Sequence, residues 1–269
     1  MNYNISKPSA FLSQYVKYYW KLESSLPNGH EHIQRIVPSG LFELIFYMND
    51  KPVSSDNKKP ITDNTTVTGQ MVDFHDLKVS GNLSLFSIYF HPHGLSIFLD
   101  LPMKEIFNQS VPLRYILKDR VNKFEDELSS AITFQDQISI AENFLLSNIL
   151  NNEKKYQYDR ISCAINRINE TKGILDIDAL ASETCLSRKQ FERTFTDIIG
   201  ASPKQFLKII RFQNVIWEKS KDTNQSLTNL AYKCGYYDQA HMIKDFKTMS
   251  GTTPRKYFEN CDAFSDYFD

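Results

Sequence analysis

The stretch "GYYDQAHMIKDFKTMSGTTP" (residues 235–254) sets Met242 and Phe246 four apart, then Gly251, two residues and Pro254. Upstream, "LSRKQFERTFTDIIGASP" (186–203) has the same skeleton in Phe191, Phe195, Gly200 and Pro203. The pairs share one offset, since 242 − 191 = 51 and 254 − 203 = 51. Apolar residues four apart lie on one helix face. Glycine supplies the left-handed residue that closes a helix, and proline suits the first turn of the next. One supersecondary unit has been used twice.

The flanking residues complete the unit. Asp176 caps "IDALASET", and Ser187-x-x-Gln190 forms a capping box that satisfies free N–H groups at a helix start. Ser226 caps "LTNLAYK", Asp238 caps "QAHMIKDFKTM", and Thr253-Pro254 opens the last helix. Ahead of these, Ile161, Ala164, Ile165 and Ile168 are core-spaced and Gly173 is a stop. Each unit reads as helix, tight turn, helix, Gly-x-x-Pro and closing helix, and a long amphipathic helix over 203–219 joins the two.

A helix-turn-helix reads DNA by laying its second helix in the major groove. The first such helix buries Phe191, Phe195 and Ile198, leaving Arg188, Lys189, Glu192, Arg193 and Thr196 outward. The second buries Met242, Phe246 and Met249, leaving Gln239, Ala240, Ile243, Lys244 and Lys247 outward. Arg and Gln make bidentate contacts to guanine and adenine edges, whereas Lys more often grips phosphate. A solvated helix face or a solenoid produces a similar pattern. Solenoids stack three or more repeats directly, however, and here two are separated by a bridging helix.

The bulk numbers fit this reading. At 269 residues the chain has room for about two domains. Hydrophobic content of 41% and charge of 23% are those of a folded soluble protein. No apolar run reaches the roughly 18 residues of a membrane helix, and "MNYNISKPSAFLSQ" lacks the order of a signal peptide. Cys163, Cys185, Cys234 and Cys261 form no CxxC pair, which suits the cytoplasm. Net charge is −1, but residues 155–260 hold 17 Lys/Arg against 12 Asp/Glu, and the remainder 14 against 20. A basic C-terminal part on an acidic N-terminal part fits a DNA-binding module carrying a regulatory one.

Residues 1–118 read as a β-rich domain. "GLFELIFYM" (40–48) and "LSLFSIYF" (83–90) are apolar on both faces, as in a sandwich or barrel, with turn-rich breaks such as "NDKPVSSDNKKP". Residues 119–154 form a helical connector with stripes Val121, Phe124, Leu128, Ala131, Ile132 and Ile138, Ala141, Phe144, Leu145, Ile149, broken at "TFQDQ". "NNEKKYQYD" (151–159) is the linker, 155–260 the all-α domain and 261–269 a tail. The expected fold class is therefore α+β with two domains: a β-rich, sandwich- or barrel-like N-terminal domain and an all-α C-terminal domain of two helix-turn-helix units joined by a long helix.

Residues 160–258 resemble the DNA-binding domain of AraC/XylS-family transcription regulators. The resemblance is carried by "LA" at 180–181 and 230–231, "SRKQFERTF", "GASPKQFLKIIR", "KCGYYDQ", "MIKDFK" and "GTTPRKYF". It implies two recognition helices entering successive major grooves. It places base-facing residues at Lys189, Glu192 and Arg193 in the first unit, and at Gln239, Ala240, Ile243 and Lys244 in the second. Ala240 and Ile243 depart from the family's hydrogen-bonding pattern, and Phe258 stands where Arg is frequent. "FLSQYVKYYWKLE", "IVPSGLFELIFYM", "VTGQM" and "IYFHPHGLSIFL" resemble an uncharacterised domain often joined to AraC-type domains, with His91 in place of the usual Arg. The resemblance implies an effector or dimerisation module there.

Other clusters carry less. His91, His93, His30, His32 and His75 lack the Cys or Glu that would complete a metal set, so no metal and no cofactor is expected. Arg35 and Glu43 flank a strand run and could grip a ligand, although Glu43 could equally form a structural ion pair. The aromatic run "YVKYYWKL" (15–22) reads as core, and Cys185 and Cys234 as small buried packing residues at the turns. No phosphate-cradling loop, nucleophile elbow or Pro-Cys-His nucleophile is present, so no enzyme is expected.

The expected function is sequence-specific, cytoplasmic transcription regulation. Arg188, Lys208, Arg211 and Lys247 would anchor phosphates. Partners would be double-stranded DNA, a small-molecule effector, a second copy in a homodimer, and RNA polymerase if the protein activates. A monomer would instead bury the connector stripes on its own N-terminal domain. The alternative is an architectural DNA-binding protein without a ligand.

Overall fold

The computed structural model describes residues 2–54, 61–149 and 155–259. Part of the expected linker (151–154), the tail 261–269 with Cys261, and part of the turn-rich stretch 49–60 lie outside them. The strands are β1 (Asn2–Ser6), β2 (Val16–Ser25), β3 (Glu31–Ile36), β4 (Phe42–Tyr47), β5 (Val53–Ser54), β6 (Thr65–Thr68), β7 (His75–Ser80), β8 (Asn82–Phe90) and β9 (Ser110–Pro112). They form two antiparallel sheets, in the orders β1-β2-β8-β4-β6-β9 and β3-β7-β5.

Alternation along the strands explains why the two central runs are apolar on both faces. Phe42, Leu44 and Phe46 of β4 and Phe86, Ile88 and Phe90 of β8 point to one side and are fully buried. Their covers are helices α1 (Arg114–Leu117), α2 (Arg120–Ser130) and α3 (Phe134–Ser147). Val121, Phe124 and Leu128 of α2, with Ile138, Ala141 and Leu145 of α3, join that core. Glu43, Ile45, Tyr47, Leu85 and Tyr89 point the other way, into a cavity between the sheets.

The connector therefore belongs, through Ser147, to the packing of the N-terminal domain. Val121, Phe124, Leu128, Ile138, Ala141 and Leu145 of its stripes are buried on the chain's own sheet, the packing expected of a monomer. A capping box between Thr133 and Asp136 starts α3. Ile132 was expected in the first stripe, but it lies in the break between the helices and is 91% exposed.

The C-terminal helices are α4 (Lys155–Glu170), α5 (Ile177–Glu183), α6 (Arg188–Ile199), α7 (Pro203–Lys221), α8 (Leu227–Lys233), α9 (Gln239–Ser250) and α10 (Pro254–Glu259). They enclose two cores. Ile161, Ile165, Leu180, Phe191, Phe195 and Phe206 form the first, and Ile209, Phe212, Leu230, Met242, Phe246 and Met249 the second. The start of α7 belongs to one core and its remainder to the other, so this bridging helix fixes one unit against the next. On α6 Phe191, Phe195 and Ile199 are fully buried, whereas Ile198, expected with them, is half-buried. Among the described residues no helix is long and apolar enough to cross a membrane.

The two helix-turn-helix turns are built alike, with one difference in length. Leu186 N–H donates to the Ala181 carbonyl, and Tyr236 N–H to the Ala231 carbonyl, both at 3.0 Å. These matches run at an offset of 50 (236 − 186), whereas α6 and α9 match at 51 (239 − 188). The second turn holds one extra residue. Cys234 is buried as expected, but Cys185 is exposed and occupies the left-handed position, φ 54°. The small residue needed at that turn serves backbone geometry, not burial.

Glu218 on α7 is 4% exposed and bridges the units. Its carboxylate accepts from Lys172 Nζ at 2.7 Å and Lys233 Nζ at 2.5 Å, on either side of the helix. Removing a buried charge strands its partners, although both lysines are partly exposed and water takes up some of the loss. Glu218→Ala is expected to lower stability by about 1–3 kcal/mol, read by urea unfolding.

Candidate nucleic-acid interface and effector cavity

Both recognition helices begin on side-chain caps. Ser187 and Gln190 form the reciprocal capping box on α6, and Asp238 accepts from the His241 N–H at 2.7 Å on α9. Away from their buried sides the helices carry the residues named from sequence, from the first turn of each to Lys247 in the last turn of α9. Lys189, Arg193, Ala240, Lys244 and Lys247 are exposed, while Glu192, Gln239 and Ile243 are half-buried. Among the described residues no ion pair engages Lys189, Arg193, Lys244 or Lys247. Gln239 Oε1 accepts from Thr228 at 2.8 Å. Arg188 pairs with Asp178 at 2.8 Å and Glu192 at 3.1 Å, so it and Glu192 are already tied to each other.

Two expected phosphate contacts sit elsewhere. Lys208 is half-buried and its Nζ lies 3.0 Å from the buried Asp245 carboxylate on the inner side of α9. Arg211 is half-buried with its guanidinium over the Tyr236 ring, 5.6 Å from the centroid. Both belong to the packing between α7 and the second unit. Their place on a long helix that is buried over most of its turns explains the difference: a cation there finds an internal carboxylate or ring before it finds solvent.

The C-terminal ends of both recognition helices are seated on the N-terminal domain. Gly200, which closes α6, lies against Met103, and a Cβ there would stand 3.0 Å from the Met103 carbonyl oxygen. Lys104 pairs with Asp197 of α6 at 2.9 Å alongside. Gly251, which closes α9, lies against Phe74 and Arg35; a Cβ there would stand 2.6 Å from the Phe74 ring. Val37, Val72 and Phe74 extend the core of the second unit into the N-terminal domain. Gln213 Nε2 donates to the Pro38 carbonyl at 2.6 Å.

Arg35 was expected to grip a ligand beside Glu43, and the structure places it differently. Along β3, Gln34 and Ile36 line the cavity, so strand alternation turns Arg35 to the opposite face. There its guanidinium makes two 2.7 Å bonds to Asp76, donates to the Ser250 carbonyl at 3.1 Å, and lies 4.4 Å from the Phe74 ring centroid. It fastens one domain to the other. Nothing local in the sequence signals this, because Ser250 lies 215 positions away.

The cavity has a volume of about 1610 Å³. That exceeds the roughly 300–1,000 Å³ of an ordinary ligand site because the space continues past the sheets to Lys172, Gln213 and Trp217 of the C-terminal domain. Tyr18 and Trp20, expected as core, line it, while Tyr19 between them packs in the core. Glu43 lies on the cavity wall and accepts from the Ser87 hydroxyl; among the described residues it has no ion-pair partner, contrary to the structural pair considered for it. Burial pushes its carboxyl up to about 7, against hydrogen bonds from Ser87 and Tyr89 that lower it.

The histidines are dispersed. His32, His75 and His91 line the cavity, and His93 is buried against Tyr158, with Ser162 Oγ at 3.3 Å. Burial, followed by the neighbouring His91, pushes His93 down to about 4. Among the described residues no group of three His, Cys, Asp or Glu could hold a metal.

The comparisons agree with these two halves. Residues 180–260 match a helix-turn-helix domain family, and residues 5–112 match a domain of unknown function (DUF6597). An uncharacterised helix-turn-helix-type transcriptional regulator of Haemophilus influenzae is 36% identical over 81 residues, 30% of this chain and 27% of that protein. The helix-turn-helix-type transcriptional regulator ArgR of Pseudomonas aeruginosa is 28% identical over 82 residues, 30% of this chain and 25% of that protein. The match thus spans about a quarter of each relative. Among solved structures, ToxT of Vibrio cholerae aligns over 90% of this chain and 98% of that one, at 12% identity and a TM-score of 0.45. The chain carries a helix-turn-helix domain at its C-terminus, joined to a β-rich N-terminal domain.

Two outcomes follow from this geometry. Glu43 is held protonated in the folded chain to about pH 7, against an ordinary value of 4.5. A raised folded value contributes stability below the unfolded value that is lost as pH rises through the folded one. Glu43→Gln is expected to match the parent near pH 4.5 and to melt higher above pH 7, as a thermal melt series would show. Arg35→Ala is expected to cost about 1–3 kcal/mol and to speed amide exchange in the turn after Ser250, leaving exchange in the first unit unchanged.

Proposed function

We propose that this chain is a sequence-specific transcription regulator, not an enzyme, acting on DNA in the cytoplasm. Helices α6 and α9 enter successive major grooves about one helical turn, roughly 10 bp, apart. Lys189, Glu192 and Arg193 read bases from the first unit, with Gln239, Ala240, Ile243 and Lys244 from the second. Ala240 and Ile243 suit thymine methyl groups. Lys247 and Arg188 contact phosphate, Arg188 after exchanging carboxylate partners for the DNA backbone. One observation carries the reading: two capped helices, covered at their C-terminal ends, keep Lys189 and Arg193 on α6 and Lys244 and Lys247 on α9 exposed, with no ion pair engaging them among the described residues.

The N-terminal domain holds an effector in its cavity. The segments 36–41 and 69–75 both line that cavity and bear on the C-terminal domain, so a ligand that displaces them changes how α9 is held. Contacts with RNA polymerase, for activation, and with a second copy on DNA would come from surfaces outside the buried connector stripes.

Selection of fragmented genomic DNA by the full chain, followed by sequencing, tests the DNA reading. A motif with two short half-sites about one turn apart is expected. Arg193→Ala is expected to cost about 1–3 kcal/mol and to relax specificity at one base pair of that motif. Binding without an enriched motif would contradict sequence-specific regulation in favour of an architectural role.

A further inference from the structure

The inner face of the six-stranded sheet lines up in rows across the strands. Tyr18 stands opposite Tyr89, Tyr89 opposite Glu43, and Glu43 opposite Thr68. In the next row Trp20 stands opposite Ser87 and Ser87 opposite Ile45. The rings form a wall: Tyr18 and Tyr89 have centroids 4.8 Å apart, and Trp20 and Tyr89 6.3 Å. Glu43 sits in this wall, anchored by Ser87; Leu22, Ile45 and Leu85 extend it with apolar surface, and Val79 of the small sheet also lines the cavity.

The wall has a definite electrostatic character. Aromatic faces carry negative quadrupole potential and attract cations, above all when water is excluded. A carboxylate drawn from water needs a positive partner or gives up its charge. Among the described residues no lysine or arginine forms an ion pair with Glu43. Lys17 already holds its ammonium 5.6 Å from the Tyr18 ring centroid, beside the same wall. A cation beside Glu43 favours the ionised carboxyl and gains attraction from it, whereas an anion gains only repulsion wherever the carboxyl is ionised.

We propose that the cavity binds an organic cation, an amine or quaternary ammonium on an apolar body, with its charged nitrogen between Glu43 and the rings of Tyr18, Trp20 and Tyr89. The apolar body lies along Leu22, Ile45 and Leu85. The site stands on the cavity alone; its consequence for DNA rests on the effector role proposed above.

Isothermal titration of the full chain with hexyltrimethylammonium, hexanol and hexanoate tests the site. The ammonium is expected to bind at least about ten-fold more tightly than either other probe. Glu43→Gln is expected to lose about ten-fold or more for the ammonium and to keep its affinity for hexanol, which also reports an intact cavity. Trp20→Leu, which removes a ring without touching the carboxylate, is expected to lose about two- to thirty-fold for the ammonium. Hexanoate binding as tightly as the ammonium, or Glu43→Gln binding the ammonium unchanged, would overturn the proposal. So would absence of ammonium binding by a chain that still recognises its DNA. The same samples, titrated with a selected DNA fragment, separate the two ideas: ammonium binding with DNA affinity unmoved supports the site and refutes the effector role.

Discussion

The arrangement turns on the two glycines that close the recognition helices. Gly200 and Gly251 take φ of 88° and 73°, values open to glycine and costly for residues with a Cβ. Each does so where the N-terminal domain presses closest, against the Met103 carbonyl in one case and the Phe74 ring and Arg35 in the other. A helix end that must turn sharply and also accept a neighbouring backbone or ring has room for no side chain. The same two positions therefore end α6 and α9 and join them to the rest of the molecule.

From that joint the remaining structure follows in both directions. On one side, α7 shares its length between two cores, and Glu218 ties the flanking units through Lys172 and Lys233. On the other side, Arg35 and Phe74 stand on the small sheet and its adjoining loop, whose next residues line the cavity. Arg35 faces outward and Gln34 and Ile36 inward on one strand. That strand thus has one face toward the cavity and one toward the DNA-binding domain. The cavity wall and the helix mounting are separated by the thickness of a single strand.

Much of the C-terminal half was legible because its signals are local. Caps lie within three residues of the N–H groups they serve, as Ser187 with Gln190 and Asp238 with His241 show. Glycine closures and apolar spacing of three or four residues read directly from the chain. The N-terminal domain was legible only as β-rich. Its runs are apolar on both faces, and nothing in "YVKYYWKL" says that Tyr19 enters the core while Tyr18 and Trp20 border a cavity. Lys208 and Arg211 looked like surface cations because their partners, Asp245 and Tyr236, lie 37 and 25 positions on (245 − 208 and 236 − 211). The Arg35 contact was illegible for the same reason at greater distance.

The most direct test of the joint is a distance measurement between the two domains. Spin labels at Lys123→Cys on α2 and Lys244→Cys on α9, in a background with the native cysteines replaced by serine, would be read by double electron–electron resonance on the full chain. Both positions are exposed. A single narrow distance distribution is expected, broadening when Phe74→Ala removes the ring under Gly251. A broad distribution with Phe74 in place, or one indifferent to its loss, would contradict the claim that the N-terminal domain holds the recognition helices by their closing turns.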